Sequence, residues 1–284
     1  MSKPANKVLK NTFILYGKML LTVALSLYTT RLVINSLGHI DFGIFTLIAG
    51  VILMLSFLNA AMTTSTQRFL SYYQGVNDSN SQKLYFSNSL ILHIFLAILL
   101  FIILLAAMPF LFNGFLNIPS NRIEAAKLVY ICMGLSIMLT VFSVPFVASI
   151  NANENMYWIA LVNIIEVMLK LIVAIMLTKG IVFEMDTLIF YGFSSVIVSL
   201  ISLLLSAFLS KKIKLPIIKE MTSFAGWNLF GALCGLGRTQ GLAIILNIFN
   251  GTLVNTAYGI ANQVSNQMCF FSATMLRALN PQIM

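Results

Sequence analysis

The sequence predicts an all-α, polytopic membrane-helix bundle of about eight transmembrane helices, and three observations carry that prediction. Hydrophobic residues make up 59% of the 284 and charged residues only 9%, where a soluble domain holds roughly 25% charged residues. The mean hydropathy is +0.94, which leaves too little polar surface to face water on all sides. The apolar residues fall in long continuous runs, and a helix needs about 20 apolar residues to cross a hydrocarbon core about 30 Å thick. A barrel would instead alternate over strands of about ten residues. Composition thus excludes a soluble enzyme, a disulfide-stapled secreted domain and a disordered tail.

The first span, Thr12–Leu37, follows Lys3, Lys7 and Lys10. Bases before an apolar run resemble a signal peptide, but this run is too long and lacks a small-residue cleavage site, so it reads as a retained span. Phe42–Thr66 is the second span, closed by a polar loop over Gln67–Lys83. The third, Tyr85–Leu111, holds an isolated His93, which reads as a satisfied interior group. Asn113, Gly114 and Pro119–Asn121 break the chain before the fourth span, Ala125–Ile150. Pro145 removes a backbone donor there and should kink the helix. A polar turn, Asn151–Asn155, leads to the fifth span, Tyr157–Thr178. In the sixth, Thr187–Leu209, Ser195, Ser199, Ser202 and Ser206 form a seam suited to close helix packing. The seventh and eighth spans are Thr222–Phe249 and Val254–Met284. This divides the chain into a six-helix lobe (1–210), a basic cytoplasmic linker (211–220) and the first two helices of an incomplete second lobe (221–284).

Lys and Arg number 17 against 8 Asp and Glu, a net charge of +9. In a membrane protein that excess reads first as topology and not as nucleic-acid binding, since bases gather in cytoplasmic segments. A cytoplasmic N-terminus puts nine bases inside (Lys3, Lys7, Lys10, Arg68, Lys83, Lys211, Lys212, Lys214, Lys219) and four outside (Arg31, Arg122, Lys127, Lys179). Cys132, Cys234 and Cys269 lie in apolar stretches without paired spacing and read as inert core thiols. No metal-ligand spacing or phosphate-cradling glycine loop occurs, and no cofactor or metal is expected.

Lipid-facing helices are apolar all round, so a polar stripe marks a buried face or a wet cavity. Such stripes are Lys18, Thr22, Ser26 and Thr29 in the first span, and Ser56, Asn59, Thr63 and Thr66 in the second. The seventh carries Asn228, Gly231, Gly235 and Arg238, and the eighth Asn255, Gly259, Asn262, Gln263, Asn266 and Gln267. Helix–helix hydrogen bonding and a hydrated cavity both account for Ser and Thr; the amide density of the eighth span favours a cavity. Lys18 and Arg238 have no acidic residue within a turn in sequence and suit an anion such as a phosphate. Lys18 also lies within reach of the cytoplasmic interface by snorkelling. Glu166 and Lys170 stand four apart in the favourable order, on a face shared with Asn163. They read either as a self-neutralising pair or as a coupling carboxylate for a proton or sodium ion. The candidate substrate-binding set is Lys18, Asn59, Arg238, Asn262, Gln263 and Asn266, with Arg31 as an interfacial alternative.

Further motifs are Arg31 through Leu37-Gly38 to Phe42-Gly43-Ile44-Phe45, Gln67-Arg68-Phe69-Leu70, Tyr258-Gly259-Ile260-Ala261 and Pro281-Gln282-Ile283. Over nearly the whole chain this pattern resembles the polysaccharide-export (O-antigen flippase) branch of the multidrug/oligosaccharidyl-lipid/polysaccharide flippase superfamily, which includes MATE-like proteins. The resemblance implies two six-helix lobes whose first, second, seventh and eighth helices line a central cleft. An internal similarity points the same way: Leu32-Val33-Ile34-Asn35 against Ile244-Ile245-Leu246-Asn247, and Phe42-Gly43-Ile44 against Tyr258-Gly259-Ile260. Family members carry twelve to fourteen spans, so this eight-span chain is expected to be C-terminally truncated.

The resemblance implies a non-enzymatic flippase in the bacterial inner membrane. It would move a polyprenyl-pyrophosphate-linked oligosaccharide by alternating access for lipopolysaccharide or other surface polysaccharide biosynthesis, with Lys18 and Arg238 on the pyrophosphate. The alternatives are a cation-coupled multidrug exporter of the same superfamily, which would want an unpaired cavity carboxylate, and an inactive fragment. A membrane enzyme fits poorly with loops this short. A reporter fused after Asn80 is expected to read cytoplasmic and one after Asn121 periplasmic; the reverse pattern would invert the orientation.

Overall fold

The computed structural model describes residues 3–54, 57–76, 78–153, 156–182, 185–210 and 240–269, all helix and short connections without a strand. The helices are α1 (Lys3–Leu53), α2 (Phe57–Gly75), α3 (Ser79–Phe110), α4 (Ile123–Ala152), α5 (Met156–Thr178), α6 (Thr187–Leu209) and α7 (Gln240–Cys269). Six helices among the described residues are long and apolar enough to cross a membrane, fewer than the eight spans expected. The reason is partly that two arms joined at a glycine are counted as one helix. Phe13–Leu53 counts once among the six although it holds the first span and much of the second on either side of Gly38. The linker 211–220 and most of the seventh span lie outside the described residues.

α1 is nonetheless two helices joined at Gly38, whose φ of 78° and ψ of 170° are not helical. Contacts with α7 show that the chain doubles back there. The Gln263 Nε2 amide donates to Thr30 Oγ1 at 2.5 Å, and Gly259, one turn earlier, packs on Thr46. In a straight helix Thr30 and Thr46 would lie roughly 24 Å apart, too far for neighbouring turns to reach both. α7 reverses in the same way at Gly251 (φ 74°): Gln240 touches Gly50 while Gly259 touches Thr46, residues only about 6 Å apart along one helix. Two helical hairpins therefore cross, each turning at a left-handed glycine. This is the geometric form of the internal sequence similarity.

The crossing is close because glycine sits on both sides of it. A Cβ on Gly43 would lie 2.5 Å from the Thr252 carbonyl oxygen, and one on Gly259 3.2 Å from the Thr46 Cβ. Thr256 Oγ1 donates to the His39 carbonyl at 2.7 Å. Asn247, fully buried, pairs with the backbone of Asn117, accepting from its N–H (3.0 Å) and donating to its carbonyl (3.3 Å). Asn255 lies one turn before Gly259 and is buried with neither amide atom partnered. Such a group costs about 1–3 kcal/mol and offsets part of this packing.

The second span differs from expectation. α1 stops at Leu53 and α2 begins at Phe57, so Phe42–Thr66 is not one helix. α2 then runs to Gly75, through most of the expected polar loop, because its far half has an apolar face. Leu70, Phe69 and Tyr73 pack against Tyr85 and Phe86 of α3 and Ala148 and Ala152 of α4, with Phe69 stacked on Tyr85 at 4.9 Å. Asp78 then caps α3, accepting from the Asn80 and Ser81 amides and, at 2.6 Å, from the Ser81 hydroxyl. α4 passes through Pro145 as one helix. Gly192 lets α6 approach Val129 of α4, and Tyr130 donates to the Leu104 carbonyl of α3. Phe95, Ile91 and Ile102 point outward from α3, as lipid contact requires.

An ion triad fixes the α1 hairpin to the rest of the lobe. Arg122 reaches both Asp41, just past the Gly38 bend, and Asp186, the N-cap of α6. Its Nε donates to Asp41 Oδ1 at 2.8 Å, while Nη1 and Nη2 donate to the Asp186 carboxylate at 2.7 and 3.1 Å. Burial pushes the Asp186 carboxyl up, but the Arg122 hydrogen bonds, the Leu188 N–H and the Arg122 charge outweigh it and hold it below the ordinary carboxylate range.

Two outcomes follow for thermal melts of the purified protein in detergent. Gly38→Ala should cost about 1–3 kcal/mol, since φ 78° with ψ 170° is open to little but glycine, while Gly17→Ala, at an open helical position, leaves the midpoint unchanged or raised. Arg122→Ala should cost about 1–2 kcal/mol after allowance for partial exposure. A carboxyl depressed in the fold stabilises fully above its unfolded value of about 3.9 and loses that share as pH falls through the folded value. The wild-type advantage over Arg122→Ala should therefore begin to shrink as pH falls below about 4 and vanish only below the folded value; an equal advantage at pH 3 and pH 7 would remove the triad from the account.

Candidate functional site

Two cavities of about 500 Å³ each lie inside the first lobe, one towards the end where α1 begins and one towards the Gly38 bend. The basal cavity is lined by Lys18 of α1, Thr63 and Gln67 of α2, Asn151 of α4, Asn163 and Glu166 of α5, and Ser202 and Ser206 of α6. The distal cavity is more apolar. Phe42, Phe45, Val167, Val173 and Tyr191 form its walls, and Gln263 and Gln267 enter from α7. Lys170 is its one charged lining residue among the described residues. Ser199 lines both, so the two spaces adjoin.

Glu166 and Lys170 span the boundary. Lys170 Nζ donates to Glu166 Oε1 at 2.6 Å, as the four-residue spacing predicts, with the acid on the basal cavity and the base on the distal one. The lysine is 49% exposed. Two cations against one anion leave the joint lining with a single net positive charge.

The hydroxyls are mostly turned back on their own helices. Thr140 and Ser143 donate to the carbonyls of Ser136 and Thr140. Thr29, Thr30, Ser194 and Ser195 do the same with Leu25, Ser26, Phe190 and Gly192, while Asn163 Nδ2 donates to Ile159 O. A hydroxyl whose hydrogen is used this way offers lone pairs to what lies beside it, and the Asn163 carbonyl oxygen is likewise left to the cavity. These hydroxyls therefore accept hydrogen bonds, and the cavity donors include the two lysines, the Gln67 and Asn151 amides, the Tyr191 hydroxyl and the α7 amides.

The candidate residues of the sequence reading scatter. Lys18 is buried, at 6% exposure, on the basal cavity. Gln263 is on the distal cavity, Asn262 is half-buried, and Asn266 is exposed. Arg31 is exposed beside a groove of about 220 Å³ shared with Asn35 and Ile260. Arg238 and the side chain of Asn59 lie outside the described residues. The polar stripe of the first span thus faces its own lobe through Lys18, Ser26 and Thr29.

Three sequence readings need correction. The α6 serine seam packs, through a 2.9 Å hydrogen bond between Ser195 and Ser136 of α4, but its lower members line the basal cavity, because that face passes from a helix contact into open space. Cys269 is exposed and Cys132 half-buried, so neither is a core thiol; Cys234 is outside the described residues. His93 is buried, with Nδ1 on the Ser89 carbonyl at 2.5 Å, yet its Nε2 finds no partner. Sequence reasoning missed the Phe45–Tyr191 pair (centroids 4.7 Å apart) and the role of Asn247, whose only signal was its place in the internal similarity. Among the described residues no three His, Cys, Asp or Glu side chains gather as a metal group.

No protein-family model matches the sequence, and no curated protein matches it significantly. Solved structures do. A chain named protein A superimposes with a TM-score of 0.81 at 12% identity, over 98% of this chain and 64% of its own. The MATE multidrug transporter DinF-BH, solved as a complex, gives 0.73 at 12% identity over 97% of this chain and 64% of its own. This chain therefore spans under two thirds of the length of each. The described helices form an all-α, MATE-like membrane bundle.

Proposed function

We propose that this chain acts in alternating-access transport across a membrane. The observation that carries the proposal is the crossing of two glycine-turned hairpins, one from each half of the sequence, beside cavities that the helices line. Hairpins that meet at one end can part there while the other end closes, which is how repeat-built transporters rock around a fixed site. With the N-terminus cytoplasmic, the crossing is the outer gate and the basal cavity faces inward, in a bacterial inner membrane. The proposed layout is a six-helix lobe over 1–210, a linker over 211–220 and a second-lobe hairpin after it.

For cargo, the likeness to a MATE multidrug transporter favours export of a drug-sized molecule, and the distal cavity has the volume and mixed lining that such a ligand needs. The second reading, flipping of a polyprenyl-pyrophosphate oligosaccharide, draws support from the net positive charge and the many hydroxyls and amides of the lining. In both, Glu166 and Lys170 are the candidate coupling pair for a proton or sodium ion.

Thr46 and Gly259 approach closely enough for a disulfide between introduced cysteines. In a background with Cys132, Cys234 and Cys269 replaced, oxidation of Thr46→Cys/Gly259→Cys should abolish transport, and reductant should restore it. Drug accumulation and surface glycan would be read in the same cells to separate the two cargoes. Full transport by the cross-linked protein would contradict a gating role for the crossing.

A further inference from the structure

The geometry points to the distal cavity as a binding site for an amphipathic organic anion, held by Lys170 in exchange for Glu166. This deepens the export reading by naming a cargo class, and it rests on that reading only for the word cargo. The site is composite: Phe45 and Tyr191 come from the first lobe, while Gln263 and Gln267 reach in from the second-half hairpin. A ligand there touches both hairpins, so its affinity depends on whether they are crossed.

The lining dictates the class of ligand. Phe45 and Tyr191 lie 4.7 Å apart at an interplanar angle of 54°, and with Val167, Val173 and Val198 they offer a flat apolar or aromatic body its contact surface. Among the described residues, Lys170 is the one charged group on the cavity, and it is a cation. Serine and threonine oxygens that have already given their hydrogens to Phe190, Gly192, Leu25 and Ser26 would repel an anion but accept from hydroxyl or amide groups. The cavity is therefore polarised, wanting one anionic head at Lys170 and hydrogen-bond donors along the serine wall. An organic cation finds no carboxylate among its described lining residues: Glu166 belongs to the basal cavity.

Lys170 is available for this exchange. Its present partner is a half-buried i,i+4 carboxylate, and the lysine itself is the exposed member of the pair; such pairs contribute only about 0.3–0.5 kcal/mol, so a second anion can compete for the lysine. Taking Lys170 into the distal cavity would leave Glu166 in the basal one with Lys18 as the other charged residue of that lining. One displacement would thus link the two spaces.

The test is equilibrium binding of 4-methylumbelliferyl phosphate to the protein in lipid nanodiscs, with neutral 4-methylumbelliferone as the control. Wild-type protein should bind the phosphate and not the neutral compound. Glu166→Gln removes the competitor and should tighten binding about threefold, while Lys170→Gln should weaken it about tenfold or more, with Lys170→Arg retaining most of it. Because Glu166→Gln is a gain of binding, it reads the site even if Lys170→Gln fails to fold. Equal binding by wild type and folded Lys170→Gln, weaker binding by Glu166→Gln, or equal affinity for the neutral compound would each overturn the site. Those results leave the gating test at Thr46 and Gly259 untouched, so the site and the transport reading fail separately.

Discussion

How near two helix backbones come at Gly43 decides most of what this structure can do. Helices with side chains at the contact stand about 8–10 Å apart; here a single Cβ on Gly43 would strike the Thr252 carbonyl. That proximity lets Thr256 reach the His39 carbonyl and Gln263 reach Thr30, and it carries Gln263 and Gln267 into a cavity otherwise built by the first lobe. A bulkier residue at the crossing would separate the hairpins and take the α7 amides out of that cavity.

The crossing is tight without being uniformly favourable. Asn247 is hydrogen-bonded through both amide atoms to the Asn117 backbone, whereas Asn255, buried on the crossing face, has both amide atoms unpaired. Parting the hairpins would give Asn255 water and take Asn247 from its partner, so the two amides push in opposite directions. By contrast, the Arg122 triad lies wholly within the first lobe and holds the α1 hairpin to it as one body. A gate of this kind needs rigid parts and a balanced contact between them, and the polar residues divide along that line.

Local signals yield to non-local ones at definite places along the chain. The bounds of α6 follow from an apolar run behind an Asp186 cap, both of which are local. The end of α1 at Leu53 and the start of α2 at Phe57 have no Gly or Pro between them to mark the break. Glycine-led turns at Gly38 and Gly251 are visible as residues, but a reversal is a property of what the two arms touch. The i,i+4 pair of Glu166 and Lys170 was legible because one helix contains both. That they face different cavities depends on α1, α4, α6 and α7, and helical spacing says which face is polar without saying which neighbour it meets. The serine seam shows the limit well: small residues allow close packing at Ser195 and leave room for a cavity at Ser202.

The central claim is that the hairpin crossing opens and closes. Spin labels at His39→Cys and Leu253→Cys, both exposed beside the two bends, report it most directly by pulsed electron–electron resonance in lipid nanodiscs. The account predicts two distance populations, a short one matching the crossed arrangement and a longer one, with their ratio shifting as bound ligand or membrane conditions change. A single short distance under every condition would contradict it and make the crossing a permanent structural joint.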